Sequence, residues 1–361
     1  MTELNRRRFL QTSAATTLAA GVPGLAAAQE SLGMAMIVPS PVGEVGWSHS
    51  LAIAMEKVQE ELGANLTILE NIPEGPDADR MMNRLVSDGN KFLLAGSFGY
   101  QNGAMQIARR NPDVTVLHAS GFMVAPNFSP FAAKYFQGTY QMGMAAAALS
   151  KTGKLGSVAA FAIPELITSI NAFTLGAQAV NPNIEVSVVW VNSWFDPAQE
   201  QGAAKALLSQ DCDVIFSNAQ DTPSVITVCE EAGAYVFNLN SSMAQFAPEY
   251  YLGCVSTDWS PFFLESAKAH LDGTFGGRNA FLGVEDGVVQ VLDWNPAIPE
   301  DVKAQIDEVS AAIADGSFHV FTGRILKQDE TVGVEDGETL TDEQIVSMDW
   351  HVAGVTTPLP Q

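Results

Sequence analysis

The sequence predicts an α/β protein made of doubly wound parallel sheets, and three observations carry that reading. Short apolar runs alternate with amphipathic segments along most of the chain, the pattern of repeated strand–helix units with helices on both sheet faces. The alternation breaks at the prolines Pro126 and Pro130 and then restarts. A length of 361 residues favours two domains over one.

The N-terminus is set apart from this pattern. Asn5-Arg6-Arg7-Arg8-Phe9-Leu10 places a twin arginine before an apolar stretch, and Ala26-Ala27-Ala28 follows as a small-residue cleavage site. Residues 1–28 therefore read as an export signal of the twin-arginine type. A basic cytoplasmic tail would explain the arginines but not the ordered apolar run. No cysteine follows the cleavage site, so no lipid anchor is expected. No later stretch approaches the ~18 apolar residues of a membrane span, so the mature chain is expected to be soluble and periplasmic. A net charge of −23 argues against nucleic acid, anionic membranes and polyanionic ligands. Cys212, Cys229 and Cys254 cannot all pair within one chain, and burial as small apolar residues is the simplest use for them. The five histidines show no metal-ligand spacing, and no metal or other cofactor is expected.

The first unit begins at the apolar run Met34–Val38. A Pro/Gly turn then delivers Trp47 to a helix whose apolar positions Leu51, Met55, Val58 and Leu62 share one face. Ser48 is the expected N-cap, with the helix starting at His49. Strands follow at 65–70, 91–95 and 114–119, with helices at 77–87 (Asp77 as a possible cap) and 102–111. Residues 126–130 read as a connection and the first domain crossing. The second series gives helices at 137–149, 165–180, 197–209 and 222–231, with strands at 157–161, 184–191, 213–217, 235–239 and 251–255. Past Trp259 come a helix at 261–271, strands at 279–283 and 288–292, and a helix at 299–314. The tail from Gly316 reads as hairpins and loops. The domains expected are 29–128 plus about 258–290, and 129–257 plus about 291–361.

In open parallel sheets ligands sit beyond the carboxyl ends of strands, so the loops leaving each strand hold the candidate site. Two of them carry tryptophan in the same position. Gly46-Trp47-Ser48 is the first. The second is Asn192-Ser193-Trp194-Phe195-Asp196-Pro197, where Asp196 is an N-cap, Pro197 opens the helix and Gln199 completes a capping pattern. Facing each other across a cleft, two indoles would sandwich a flat ligand. Each could equally be a hydrophobic staple on its own helix, although Ala52, the staple partner of Trp47, is a poor match in size. Ser97, Phe98 and Tyr100, Glu165, Asn218, Gln220 and Asp221, Asn240 to Ser242, and Thr257 and Asp258 could add polar edges, or serve as turn formers and caps. No GxSxG, Walker-type glycine loop or HExxH is present.

Four segments together resemble the basic membrane protein family, the purine-nucleoside-receptor-like solute-binding proteins of ABC transporters. They are Phe136–Gly143, Ile170–Ala177, Trp194–Pro197 and Met348–Val355, in that order. The resemblance spans essentially the whole mature chain. It implies the type I periplasmic binding protein fold, with two lobes joined by a multi-strand hinge that close around a ligand. It also implies no enzymatic activity, delivery of ligand to a cognate permease in the inner membrane, and a monomer. Nucleoside-binding members stack the base between two aromatic residues, which match Trp47 and Trp194 here. Other ligand-binding candidates are Ser48, Phe98, Gly99, Tyr100, Gln220, Asp221, Asn240, Ser242, Thr257 and Asp258.

The departures from that pattern point away from ribose. Glu44-Val45-Gly46-Trp47-Ser48 replaces Asp-x-Ser-Phe-Asn, and His118-Ala119-Ser120-Gly121 lacks the family's aspartate. Asn238-Leu239-Asn240-Ser241-Ser242 stands for Gly-Val-Asp-Ser-Asp, and Thr257 stands for a late lysine. A site built to bond sugar hydroxyls loses heavily without such partners. The resemblance therefore implies a free purine base such as adenine as the small-molecule ligand. An intact nucleoside is the alternative, and a secreted nucleoside-hydrolysing enzyme a more distant one.

Overall fold

The computed structural model describes residues 31–360, so the expected twin-arginine signal lies outside the described residues. The chain first lays down β1 (Gly33–Ile37), α1 (Trp47–Leu62), β2 (Asn65–Leu69), α2 (Pro76–Ser87), β3 (Phe92–Ala95), α3 (Gln101–Arg110), β4 (Thr115–Ala119) and β5 (Phe128–Ala133). A second series follows: α4 (Tyr135–Leu149), β6 (Lys154–Ala159), α5 (Pro164–Val180), β7 (Glu185–Trp190), α6 (Pro197–Leu208), β8 (Val214–Asn218), α7 (Ser224–Ala232), β9 (Tyr235–Asn240) and β10 (Tyr251–Thr257). The remainder holds α8 (Ser260–Leu271), β11 (Ala280–Leu282), β12 (Val289–Leu292), α9 (Glu300–Ala314), the hairpin β13 (Ile325–Leu326) and β14 (Val332–Val334), and α10 (Asp342–Ile345).

These strands form two six-stranded sheets of matching order, β2-β1-β3-β4-β5-β11 and β7-β6-β8-β9-β10-β12. Every neighbour is parallel except β12, which runs antiparallel to β10. Helices cover both faces of such a sheet, so its central strands read as continuous apolar runs. All of β3, β4 and β8 is buried. The chain passes between the sheets three times: after β5, between β10 and β11, and between β11 and β12. Parallel sheets with two lobes and a multi-stranded junction agree with the expected fold class.

Phe128–Ala133 is a strand rather than a connection. A proline is costly inside a sheet because it cannot donate to the ladder. Pro130 is tolerated because β11 pairs only with Phe131–Ala133, leaving the strand with a free edge at Pro130. Beyond it, α4 and α5 approach so closely that a Cβ on Gly143 would lie 2.1 Å from the Phe173 carbonyl oxygen. That explains the small residues along α4.

The tail straps the second lobe. Asn171 on α5 donates to the Trp350 carbonyl at 2.8 Å and accepts from the Val352 amide at 3.1 Å. Val186 of β7 donates to Gly354 O at 2.9 Å and accepts from Thr356 N at 2.8 Å. The tail thereby covers a sheet edge that would otherwise be open to pairing. It also contains α10, a helix stopped at its start by a Thr341/Gln344 capping box, which the sequence reading of the tail did not include.

Candidate functional site

One cavity gathers the carboxyl ends of seven parallel strands. Its walls are Pro39 and Trp47 after β1, Ser97 and Phe98 after β3, Ser120 after β4, Ile163, Glu165 and Leu166 after β6, Trp194 after β7, Ala219 and Asp221 after β8, and Leu239 and Asn240 at the end of β9, with Tyr135 opening α4. Both tryptophan loops therefore reach the same space from different sheets, which is where strand topology leaves a crevice.

Trp47 is held firmly. Its indole Nε1 donates to Gly96 O at 2.8 Å. Its ring lies nearly parallel to Phe131 at 6.5 Å and edge-on to Trp259 at 6.1 Å, contacts worth about 0.5–1.5 kcal/mol each beyond their buried area. Trp194 is held less. Its ring leans on Phe161 at 4.7 Å, and its buried Nε1 finds no hydrogen-bond partner among the described residues.

The two helices that follow are capped in different ways. For α6, Asp196 accepts from the Gln199 amide at 3.0 Å, as expected. The return bond comes from Glu200, whose Oε1 accepts from the Asp196 amide at 3.1 Å. Gln199 instead donates its side-chain amide to Asp196. For α1 the expectation of a Ser48 cap at His49 fails. The helix starts at Trp47, and its N-cap is Gly46 at φ +92°, which has no side chain to offer. Similarly α2 begins at Pro76 with Gly75 as N-cap, and Asp77 sits inside its first turn.

The missing cap of α1 comes from the other lobe. Asp221 Oδ1 accepts from the Trp47 amide at 2.6 Å, and Oδ2 accepts from the Ser40 hydroxyl. Ser40 in turn shares a 2.6 Å hydrogen bond with Ser48. Beside them the Gly46 amide donates to Ser241 Oγ at 2.7 Å, and a Cβ on Gly46 would lie 2.7 Å from Asp221 Oδ1. A carboxylate at a helix N-terminus satisfies open N–H groups and complements the helix dipole. The second lobe thus caps a helix of the first. Burial pushes Asp221 up to about 6, opposed by the donors from Ser40, Trp47 and Ser48. Behind it burial pushes Glu200 up to about 7, opposed by its bonds from Thr222 and Asp196.

A second bond spans the lobes at the opposite wall. Ser120, whose backbone sits at φ +55°, donates to Glu165 Oε2 at 2.5 Å. Glu165 Oε1 accepts from Ala133 N at 3.4 Å. Burial pushes this carboxyl up to about 7 despite both donors, so it passes between donor and acceptor forms near neutral pH.

Of the residues singled out from sequence, Trp47, Ser97, Phe98, Glu165, Trp194, Asp221 and Asn240 line the cavity. The others lie off its wall. Ser48 is wholly buried beneath the loop in the Ser40 network. Gly99 is exposed and donates to Glu74, and Tyr100 turns into the first-lobe core with its hydroxyl on Ile72 O. Gln220 is buried and reaches back to Asn218 O at 3.5 Å. Ser242 accepts from the Ala244 amide, Thr257 is buried at the end of β10, and Asp258 receives the Ser260 amide and hydroxyl. Glu165 was a candidate polar edge and Ser120 only part of a stretch lacking the family's aspartate; what the sequence did not show is the pairing of one with the other, 45 positions apart. Tyr135, whose hydroxyl donates to Asn240 Oδ1 at 2.5 Å, sat just ahead of the expected helix. The three cysteines are free and buried. Among the described residues no cluster of three or more His, Cys, Asp or Glu is arranged to hold a metal, and no helix is long and apolar enough to cross a membrane.

Comparison with known proteins places this architecture. The profile of the Bmp family, described as ABC transporter substrate-binding protein PnrA-like, matches residues 32–317. A purine-binding protein of Brucella abortus (strain 2308) is 39% identical over 340 residues, covering 94% of this chain and 97% of the relative. A putative ABC transporter glucose-binding protein of Haloferax volcanii is 30% identical over 294 residues, covering 81% of this chain and 75% of the relative. Among solved structures, an ABC transporter solute-binding protein from Aeropyrum pernix K1 superposes with a TM-score of 0.72 at 16% identity, over 80% of this chain and 92% of that one; this likeness supports the fold alone. The chain belongs to the PnrA-like family of ABC transporter substrate-binding proteins, which bind a small molecule and work with a permease.

Proposed function

We propose that this protein captures a free purine base between Trp47 and Trp194 in the periplasm and hands it to an inner-membrane permease. The observation that carries the reading is that two tryptophans, one from each lobe, line a single cavity. Stacking a base on an aromatic ring is worth about 1–3 kcal/mol by alanine substitution. The purine-binding relative in Brucella abortus favours the same ligand class.

The cavity chemistry favours a base over a nucleoside or nucleotide. No lysine, arginine or histidine is among its lining residues, so the only ionisable acids or bases a phosphate would meet near neutral pH are the carboxyls of Glu165 and Asp221. The hydroxyl protons that could be donated to a ribose are already committed: Ser97 to Glu74, Ser120 to Glu165, and Tyr135 to Asn240. What remains suits a flat heteroaromatic ring stacked between the indoles, with Asn240 and Glu165 as the polar groups near its edge.

The test is calorimetry and thermal melting with adenine, hypoxanthine, adenosine and glucose. Adenine or hypoxanthine should bind more tightly than adenosine and raise the melting temperature; ligand at 100 times Kd stabilises a native state by about 2.7 kcal/mol. Binding of no base, or tighter binding of glucose or adenosine, would overturn the proposal.

A further inference from the structure

A second chamber adjoins the ligand cavity. It has a volume of about 370 Å³ and shares Phe98, Ser120, Ile163 and Glu165 with the first cavity as a common wall. Its far side is built by Ile345, Val346 and Ser347, at and just past the end of α10. This tail segment lies beyond the residues matched by the family profile. Phe122, at 66% exposure, stands at its rim.

We infer that this chamber is a subsite for an apolar substituent carried by the base, so that the natural ligands include purines bearing a small hydrocarbon group. The inference rests on the purine reading above. The walls are mostly Phe, Ile, Val, Pro and Ala side chains, and no basic residue lines them. Three hydroxyls are present, but each already donates within the protein: Ser120 to Glu165 Oε2, Thr168 to Glu165 O at 3.0 Å, and Ser347 to Glu343 O at 2.7 Å. Both Glu165 oxygens are also occupied as acceptors. A phosphate placed there would lose its hydration without meeting a free side-chain donor, and a sugar would find only leftover acceptor lone pairs, whereas a hydrocarbon loses nothing by leaving water. Glu165, standing between the two spaces, would meet the edge of the base at the point where the substituent leaves it.

The experiment compares adenine with N6-benzyladenine and 9-benzyladenine, which carry the same ring on opposite edges of the base, by calorimetry. At least one benzyl compound should bind within about tenfold of adenine or tighter. Filling the chamber from its tail side with Ser347→Trp, or separately Val346→Phe, should weaken that compound at least about tenfold while changing adenine less than about threefold. Ser347 is exposed, so its replacement spares the core, and adenine binding reports that each variant is folded. The subsite is refuted if adenine binds but neither benzyl compound does, or if the variants weaken both ligand types equally. Failure of adenine and both benzyl compounds alike would overturn the purine reading and the subsite with it.

Discussion

The two tryptophan joints look alike in sequence and differ in how they are held. At the first, Trp47 is fixed by a hydrogen bond to Gly96 and by Phe131 and Trp259, yet the helix it opens has no cap of its own. At the second, α6 carries its own Asp196 cap, yet among the described residues Trp194 has an unpaired N–H and a single aromatic neighbour in Phe161. One joint has a rigid ring on a helix that only the opposite lobe completes. The other has a complete helix and a ring with spare bonding capacity. On the proposed function the two kinds of incompleteness would serve capture differently: one would favour closure, and the other would leave a ring free to stack on the ligand.

Removing the bridging group should break this comparison most severely. Asp221→Ala takes away the cap of α1 (about 0.5–2 kcal/mol) together with hydrogen bonds to a charged group (about 1.5–3 kcal/mol each). Ligand affinity should fall by about tenfold to several hundredfold in calorimetry, with Asp221→Asn losing less because it keeps one acceptor oxygen. An unchanged Kd in Asp221→Ala would mean that the lobes close without this contact.

Next in size are the tryptophans themselves. Each alanine variant should lose about 1–3 kcal/mol of binding. Their melting curves should diverge, because Trp47→Ala also opens a hole beside Phe131 and Trp259 whereas Trp194→Ala removes a half-buried ring with one neighbour. Ligand-free Trp47→Ala should melt several degrees lower than Trp194→Ala. Equal melting temperatures would erase the proposed difference in rigidity.

A smaller effect should appear with pH. Glu165 is raised in the folded chain to about 7 from an ordinary 4.5. Its contribution to stability is therefore complete below about pH 4.5 and is lost as the pH rises through about 7. The melting temperature of the wild type relative to Glu165→Gln should fall across that window, and a flat difference would contradict the raised value. The smallest effect belongs to Asp196→Ala. It should lower the melting temperature slightly through loss of its local cap and leave Kd within about twofold, because nothing across the cleft depends on it.

The fold was legible because its signal is local and repeated: buried parallel strands write continuous apolar runs, and helices write a 3.6-residue period. The tryptophan pair was legible for the same reason, since each sits at a strand–loop–helix joint. What escaped were pairings across the cleft. Asp221 reads as a loop acid suited to a ligand, and only the fold shows it capping a helix that begins 174 residues earlier. Ser48 satisfies every local rule for an N-cap, but Gly46 turns the chain two residues sooner and Ser48 is buried. Pro130 masked β5, because the free edge that tolerates it is set by β11, far along the chain.

The capping of α1 from the opposite lobe gives the molecule a built-in gauge of its own state. While the lobes are together the Trp47 amide is bonded to Asp221, and the Trp47 indole looks onto the cavity. Were they to part, that amide would face water and the first helical turn would be free to fray. Hydrogen exchange at that one backbone position would then count the fraction of open molecules, with no label attached to the protein.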